Sequence, residues 1–542
     1  MSTEQPFHPT AAPTGAEHVP DARHLRTILV AVSLALMAVI ASVSGLNVAQ
    51  THMAVEFDAS ATTVLWIINV YTLILAALLL PLGAIGDRLG RKPVLITGLL
   101  LFAAAAVVAA LAPSAEVMIA ARVVAGLSAA MIMPITLAVI TSTFPEEQRG
   151  RAIGVWTGVA GGGGILGMFL SALLVDVADW RWLFALPVVL AAVALTMTWR
   201  SVPDSRARSP HSFDTVGAVV SGVAVTGLIF VLQEGPEPGW TAPVTLAGLG
   251  TGLLAAVGFV AWELHRRDAS LLDVRLFRHR GMAGGSLTLV VVFGVQAGVA
   301  VVLFPYLQAV LGWSGLLSTV AMMPMAVVMM AASGLAPRLA ARVGARSTMA
   351  AGVALAAAGL ASMGLFVSVE GGYPSVLGGL VAMGAGMGLS MTPSTEAITG
   401  ALPGEQQGVA SALNDVTREF GTALGVAVLG ALVATGYRRA LDDRLGGVDG
   451  VPRGTADTAR EGIANAVEVA PGAGPHAQAL LRAARQSFVD GWQEAMWVGA
   501  AVMVALFVLV VVRGPENGPR PGDDEAAIPG AGAGAAEEVP AH

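Results

Sequence analysis

Fourteen runs of roughly 20 predominantly apolar residues recur along the chain, and this recurrence limits the fold more than any other feature. A run of that length crosses the hydrocarbon core as one helix. Only helices and closed barrels satisfy their backbone groups in lipid, and runs this long are helical. The runs fall at about 27–50, 62–84, 94–113, 117–140, 152–176, 183–199, 215–233, 243–263, 283–311, 316–335, 348–368, 374–396, 408–435 and 492–512. The hydrophobic fraction of 55% and charged fraction of 12% agree, the latter about half of what soluble domains carry.

Polar breaks group these runs. A proline-punctuated tail covers 1–25, a first set of six spans 26–200, and two linker helices with a basic segment fill 201–282. A second set of six spans 283–512 and includes a long polar loop at 437–490; an acidic, glycine-rich tail covers 513–542. The expected fold is therefore an all-α membrane protein with 14 transmembrane helices arranged 6 + 2 + 6, its two tails disordered. Charge supports an even count. With the N-terminus inside, about 20 of the 30 basic residues lie in cytoplasmic segments and Arg181 alone in a short outer loop. Lys and Arg favour the cytoplasmic side of short loops, so both termini are placed there, in a plasma membrane protein. The stretch Leu264–Gly281 mixes Leu271, Leu272, Leu276 and Phe277 with five arginines and reads either as an interfacial helix against anionic membrane lipid or as a plain basic linker.

Several classes of chemistry are excluded. With no cysteine there is no disulfide, thiolate or Cys-ligated metal. The nine histidines are scattered, so no metal site is expected. The single lysine, Lys92, precedes Pro93, which rules out a GxxxxGK[ST] phosphate loop and an ATPase of the chain's own. No GxSxG elbow occurs, and MGAGMG near Gly384–Gly388 sits inside an apolar helix, where small residues serve close helix packing. The chain reads as no enzyme, with no cofactor and no nucleic-acid partner. Transport would then draw on an ion gradient: a proton gains about 2.3 kcal/mol per 100 mV, and about 1.4 more per pH unit.

One charged turn stands out between two apolar runs, Gly83–Val94, reading GAIGDRLGRKPV. It resembles the signature turn between helices 2 and 3 of the major facilitator superfamily. A faded second copy, ARVGAR at Ala341–Arg346, aligns Gly344 with Gly90 and puts Ala341 where Asp87 stands. Arg122 opens RVVAGLSAA, similar to the superfamily's RxxQGxGaA motif; GGGGILGMFLSALL at Gly161–Leu174 is similar to its antiporter motif. WRWLFALP at Trp180–Pro187 and GVASALNDVTREFGTALGVAVLG at Gly408–Gly430 complete a resemblance to the fourteen-helix drug:proton antiporter family. That resemblance implies a major facilitator fold and proton-driven export of drugs or antibiotics by alternating access. The chain departs from the pattern in four places. Ser42 takes the place of the helix 1 acid, Ala125 that of the helix 4 glutamine, Met168 that of the antiporter proline, and Ser171 with Ala172 that of its paired glycines.

The candidate gating and coupling residues follow. Asp87, with Arg88 and Arg91, is read as a conformational latch, and Arg122 relays coupling in the resemblance. Asp415, Arg418 and Glu419 lie within four residues on one helix face and can meet. With Glu396 they are the acids to which proton coupling would have moved once helix 1 lost its own. The substrate cavity is expected to draw on Asn47, Gln50, Trp66, Asn69, Tyr71, Gln296, Tyr306 and Gln308, and on a methionine stripe that includes Met322, Met323, Met325, Met329 and Met330. Methionine offers a soft, adaptable surface, so the partner expected is a small lipophilic or amphipathic molecule, exchanged for protons. An exported lipid or secondary metabolite, or a membrane scaffold without transport, are the other readings.

Overall fold

The computed structural model describes residues 21–46, 49–205, 213–235, 239–266, 270–445 and 451–515. Among them, fourteen helices are long and apolar enough to cross a membrane. Asn47 lies outside the described residues, as do most of both tails.

The first set of spans is α1 (Ala22–Leu46), α3 (Ala61–Leu89), α4 (Arg91–Ala110), α5 (Ala115–Thr143), α6 (Glu146–Val177) and α7 (Ala185–Ser201), with a short helix α2 (Gln50–Glu56) after α1. Then come α8 (Thr215–Glu234) and α9 (Pro243–Arg266). The last set is α10 (Arg280–Pro305), α11 (Gly315–Val343), α12 (Ala345–Phe366), α13 (Pro374–Thr399), α14 (Gln407–Leu445) and α17 (Ala477–Arg513). Two short helices, α15 (Arg453–Glu461) and α16 (Ile463–Val469), precede α17. In the first set α1 packs on α6 and α7, and α5 on α3 and α4; in the last, α13 lies against α11 and α12, and α14 against α10 and α17. The α8–α9 pair stands beside them, with α8 touching both α3 and α14.

The repeat suspected at Gly90 and Gly344 extends over whole helices. Both α3 and α11 have 29 residues, each begins after a serine whose hydroxyl accepts the first-turn amide (Ser60 from Thr63, Ser314 from Leu317), and each ends on a glycine. Gly90 (φ 108°, ψ 137°) and Gly344 (φ 90°, ψ 152°) share a backbone conformation that a Cβ disfavours, so each glycine lets one helix stop and the next start at once. Pro81, Pro134, Pro324, Pro337 and Pro393 all lie inside helices. Neighbouring helices in a membrane bundle make such prolines tolerable.

Two connecting stretches take definite shape. Among its described residues, Leu264–Gly281 holds the end of α9, a five-residue 3-10 turn at Val274–Arg278 and the start of α10. Leu271 and Leu272 turn inward and are buried, while Phe277 and Arg278 stay exposed. The polar segment 437–490 is mostly helical: α14 runs on to Leu445 and α17 starts at Ala477. Ion pairs Arg439–Glu494 (2.7 Å) and Arg444–Asp490 (2.7 Å) join the two extensions, and the Tyr437 hydroxyl donates to the Ala459 carbonyl at 2.7 Å.

Candidate functional site

The Asp87 turn is a contact between the two bundles. Asp87 ends α3, is only 4% exposed, and accepts the Gly408 amide (2.8 Å) and the Val409 amide (3.2 Å) at the first residues of α14. These are orphan donors of a helix start, where partial positive charge favours a carboxylate. Arg91 donates to Asp87 at 2.9 Å and to the Gly404 carbonyl at 3.0 Å. Gly83, one turn earlier, lies so close to Gly408 that a Cβ on either would meet the other's carbonyl oxygen. Arg88 points away from this contact, its guanidinium 5.4 Å from the Phe213 ring just before α8.

The bundles also meet along α6 and α11. Gly154 meets Ser333, Gly158 meets Met330, and Gly162 meets Met330 and Ala326. On the adjoining face of α6, Gly163 and Gly164 meet Met37, Ile40 and Ser44 of α1. Between the bundles lies a cavity of about 340 Å³, lined by α1, α3, α5, α6, α10, α11, α13 and α14. Its volume is at the lower end of small-molecule sites. Its lining is apolar, including Phe293, Met325 and Met383, with Gln296, Arg418 and Glu419 among its few polar groups.

Two of these polar groups also bridge the bundles. Gln296 donates to the Gly161 carbonyl at 3.2 Å, and Arg418 to the Ala160 carbonyl at 3.4 Å. Arg418 further donates to Asp415 at 3.2 Å and lies 4.5 Å from the Phe293 ring centre. Asp415 is fully buried behind it, its second oxygen without a partner. Glu419 lines the cavity and has no hydrogen bond or ion pair among the described residues. The carboxylate most available to a guest or a proton in this cavity is therefore Glu419.

Arg122 is the other buried arginine, 1% exposed. It donates to the Ser42 hydroxyl at 3.0 Å and the Ile67 carbonyl at 3.3 Å, and lies 4.2 Å over the Tyr71 ring. One of its terminal nitrogens has no partner, and no carboxylate among the described residues pairs with it. An arginine inside a membrane demands such partners, and here neutral oxygens and a π face supply them.

The expected cavity residues scatter. Gln296, Met322 and Met325 line the cavity. Met329 and Met330 fill the α6–α11 contact instead. Trp66 faces the Phe230 ring and Asn69 donates to Glu234 at 2.8 Å, so both turn to the linker helix α8. Tyr71 backs the cavity wall beside Arg122. Tyr306 is bound to the Ser368 carbonyl at 3.0 Å and packs on Trp492, Gln308 is exposed, and Gln50 lies on α2, away from the lining. Glu396 lines a separate cleft at the Asp87 face. Thr422 and Val426 were missed, although they follow Arg418 at four and eight residues, the spacing of one helix face.

With this geometry in view, known proteins are informative. The family model described as Major Facilitator Superfamily matches residues 32–426. The chain belongs to that superfamily. It is therefore a multi-pass membrane transporter acting on small molecules, and its fold matches the expectation. It is 31% identical over 418 residues to the multidrug resistance protein Stp of Mycobacterium tuberculosis, covering 77% of each chain. It is 31% identical over 535 residues to the tetracenomycin C resistance and export protein of Streptomyces glaucescens, covering 96% of this chain and 98% of that one. The proton:xylose symporter XylE superposes with a TM-score of 0.59 at 15% identity, over 92% of this chain and 97% of that one. At that identity, XylE speaks for the fold alone.

Proposed function

We propose that this transporter exports lipophilic or amphipathic drugs or antibiotics across the plasma membrane, in exchange for protons. Its two bundles would rock about the central cavity, with the Asp87 face as the cytoplasmic gate. The observation that carries this reading is the cavity itself. It is apolar, lies between the bundles, and presents one unpaired carboxylate, Glu419, beside the Arg418–Asp415 pair. An apolar cavity with a single acid suits a guest with a large apolar body and at most one cationic centre. The basic residues near the gate, Arg91, Lys92, Arg149 and Arg342, suit a cytoplasmic face and so two cytoplasmic termini. A scaffold without transport would have no use for an acid that clasps the opposite bundle.

Inverted membrane vesicles loaded with purified protein provide the test. Accumulation of a lipophilic monocationic dye is expected when the lumen is acidified and is expected to collapse when the pH gradient is removed. Accumulation indifferent to the gradient would sink the exchange with protons. Absence of accumulation for every lipophilic probe would sink drug export. The relative named for tetracenomycin C resistance and export supports an antibiotic as the guest, and the drug sensitivity of cells with and without the gene tests that choice.

A further inference from the structure

The acid missing at Ala341 has a stand-in. The Asp87 contact joins two sites in the chain: a position three residues before Gly90, and the start of α14. The internal repeat supplies a second copy of both. Ala341 is three residues before Gly344, and α6 starts with Pro145-Glu146-Glu147-Gln148-Arg149-Gly150. The start of α14 reads Pro403-Gly404-Glu405-Gln406-Gln407-Gly408, sharing Pro, Glu, Gln and Gly in register. The backbone repeats too: the Gln148 amide donates to the Pro145 carbonyl at 3.0 Å, and the Gln406 amide to the Pro403 carbonyl at 2.9 Å. Gly83 packs on Gly408, and its counterpart Pro337, seven residues before Gly344, packs on Gly150, with the Pro337 Cβ 3.5 Å from where a Gly150 Cβ would be.

The carboxylates complete the parallel. A Cβ on Gly408 would sit 2.7 Å from the Asp87 carboxylate, and one on Gly150 would sit 2.8 Å from the Glu396 carboxylate. Asp87 reaches from the first bundle to the last, and Glu396 reaches the opposite way. One difference matters. Because α14 begins at Gln407, the Gly408 amide is an unspent helix-start donor, whereas α6 begins at Glu146 and the Gly150 amide lies inside the helix. A carboxylate at Gly150 therefore needs a side-chain donor. Arg149 stands beside it where α14 has Gln407. In a cleft of about 370 Å³ its Nε, the Glu396 Oε1 and the Gln407 Oε1 are all buried without partners. The charged residues lining this cleft are Glu146, Arg149 and Glu396.

We propose that Glu396 and Arg149 form a second latch between the bundles, the counterpart of Asp87 on α14, which fastens when the cleft narrows and must release for the gate to open. This rests on the alternating-access reading above and names a positioning pair within it. The chain has no natural cysteine, so a variant with Arg149→Cys and Glu396→Cys isolates the contact. Mild oxidation is expected to cross-link it, read as a shift in gel mobility after thiol labelling, which requires no transport. In vesicles, Glu396→Gln and Arg149→Gln are each expected to lower efflux about tenfold, the size of one lost charged hydrogen bond. The exchange Arg149→Glu with Glu396→Arg, or Ala341→Asp added to Glu396→Gln, is expected to recover most of it. The latch is overturned if the cysteine pair stays reduced, or if neither compensating variant transports better than the singles. Wild-type protein that moves no probe would refute the transport reading instead, and the cross-link would still report the contact.

Discussion

Arg122 and Arg418 are both buried arginines, yet their charges are met differently. Arg418 has a carboxylate at 3.2 Å, a carbonyl from the other bundle and an aromatic face, and it borders the cavity. Arg122 has a hydroxyl, a carbonyl and an aromatic face, and it is walled off from the cavity by its own bundle. A guanidinium cannot give up its proton in a protein. Proton exchange therefore needs an acid nearby, which the last bundle has and the first, with Ser42, has not. On the proposed exchange with protons, coupling would rest on α14, while Arg122 ties α1, α3 and α5 together through Ser42, Ile67 and Tyr71.

The largest effect should come from breaking the paired arginine. Asp415→Asn leaves Arg418 buried without its nearest counter-charge, and stranding one partner of a buried pair costs about 3–5 kcal/mol. A clear fall in thermal unfolding temperature in detergent is expected, partly restored by adding Arg418→Gln. Unchanged stability would mean that Glu419 neutralises Arg418 unaided, and the contrast with Arg122 would lose its basis. Glu419→Gln should act on coupling rather than folding. Uphill efflux is expected to fall about tenfold or more, while downhill exchange of substrate persists. Equal loss of both would make Glu419 a substrate contact and return the proton to Asp415.

How much of this was legible in the sequence depends on what each residue's signal carries. Span count and order were plain, because 20 apolar residues in a row have one common explanation. The charged turn at Asp87 was legible as a motif, but its partner amides at Gly408 and Val409 were not, since nothing in a helix start announces which acid it will meet. Rotation was the hidden variable. Trp66, Asn69, Tyr71 and Thr72 share one helix, yet the first two face α8, Tyr71 faces Arg122, and only Thr72 reaches the cavity. A helix apolar on every side has no polar stripe to fix its facing. Helix ends failed for a related reason. Charged Arg438 and Arg439 mark the edge of the apolar run, but the helix continues past them on ion pairs to α17.

Supplying the acid that Arg122 lacks tests the contrast from the other direction. Ser42→Asp offers the unspent guanidinium nitrogen a carboxylate, but desolvating that carboxylate offsets the attraction. Stability should shift by less than about 1 kcal/mol, whereas Ser42→Ala, which removes an acceptor from a charged donor, should cost about 1.5–3. Transport selectivity should respond to the new charge, with a dicationic dye gaining severalfold over a neutral analogue. Strong stabilisation without a change in selectivity would mean that Arg122 lacks a structural counter-ion, and that the serine has nothing to do with substrate choice.

The smallest effect belongs to a third arginine, which shows what the same pairing is worth in water. Arg181, at the opposite face from Asp87, pairs with Glu56, which also accepts the Trp180 indole N–H at 2.6 Å. The hydrogen bonds from Arg181 and then Trp180 hold the Glu56 carboxyl below the usual carboxylate range. A lowered value in the folded protein means that the tie contributes fully above the ordinary carboxylate pKa, near about 4.3, and fades as pH falls through the lowered one. Both side chains are about a third exposed, so solvent screening should keep the contribution to about 1 kcal/mol or less. Glu56→Gln should therefore lower the unfolding temperature slightly at pH 7, and the gap from wild type should close as the medium is acidified below pH ~4. A gap that is independent of pH would mean that Glu56 acts through packing against Trp180 rather than charge. A gap as large as that of Asp415→Asn would show that burial is not what separates Arg418 from an arginine in water.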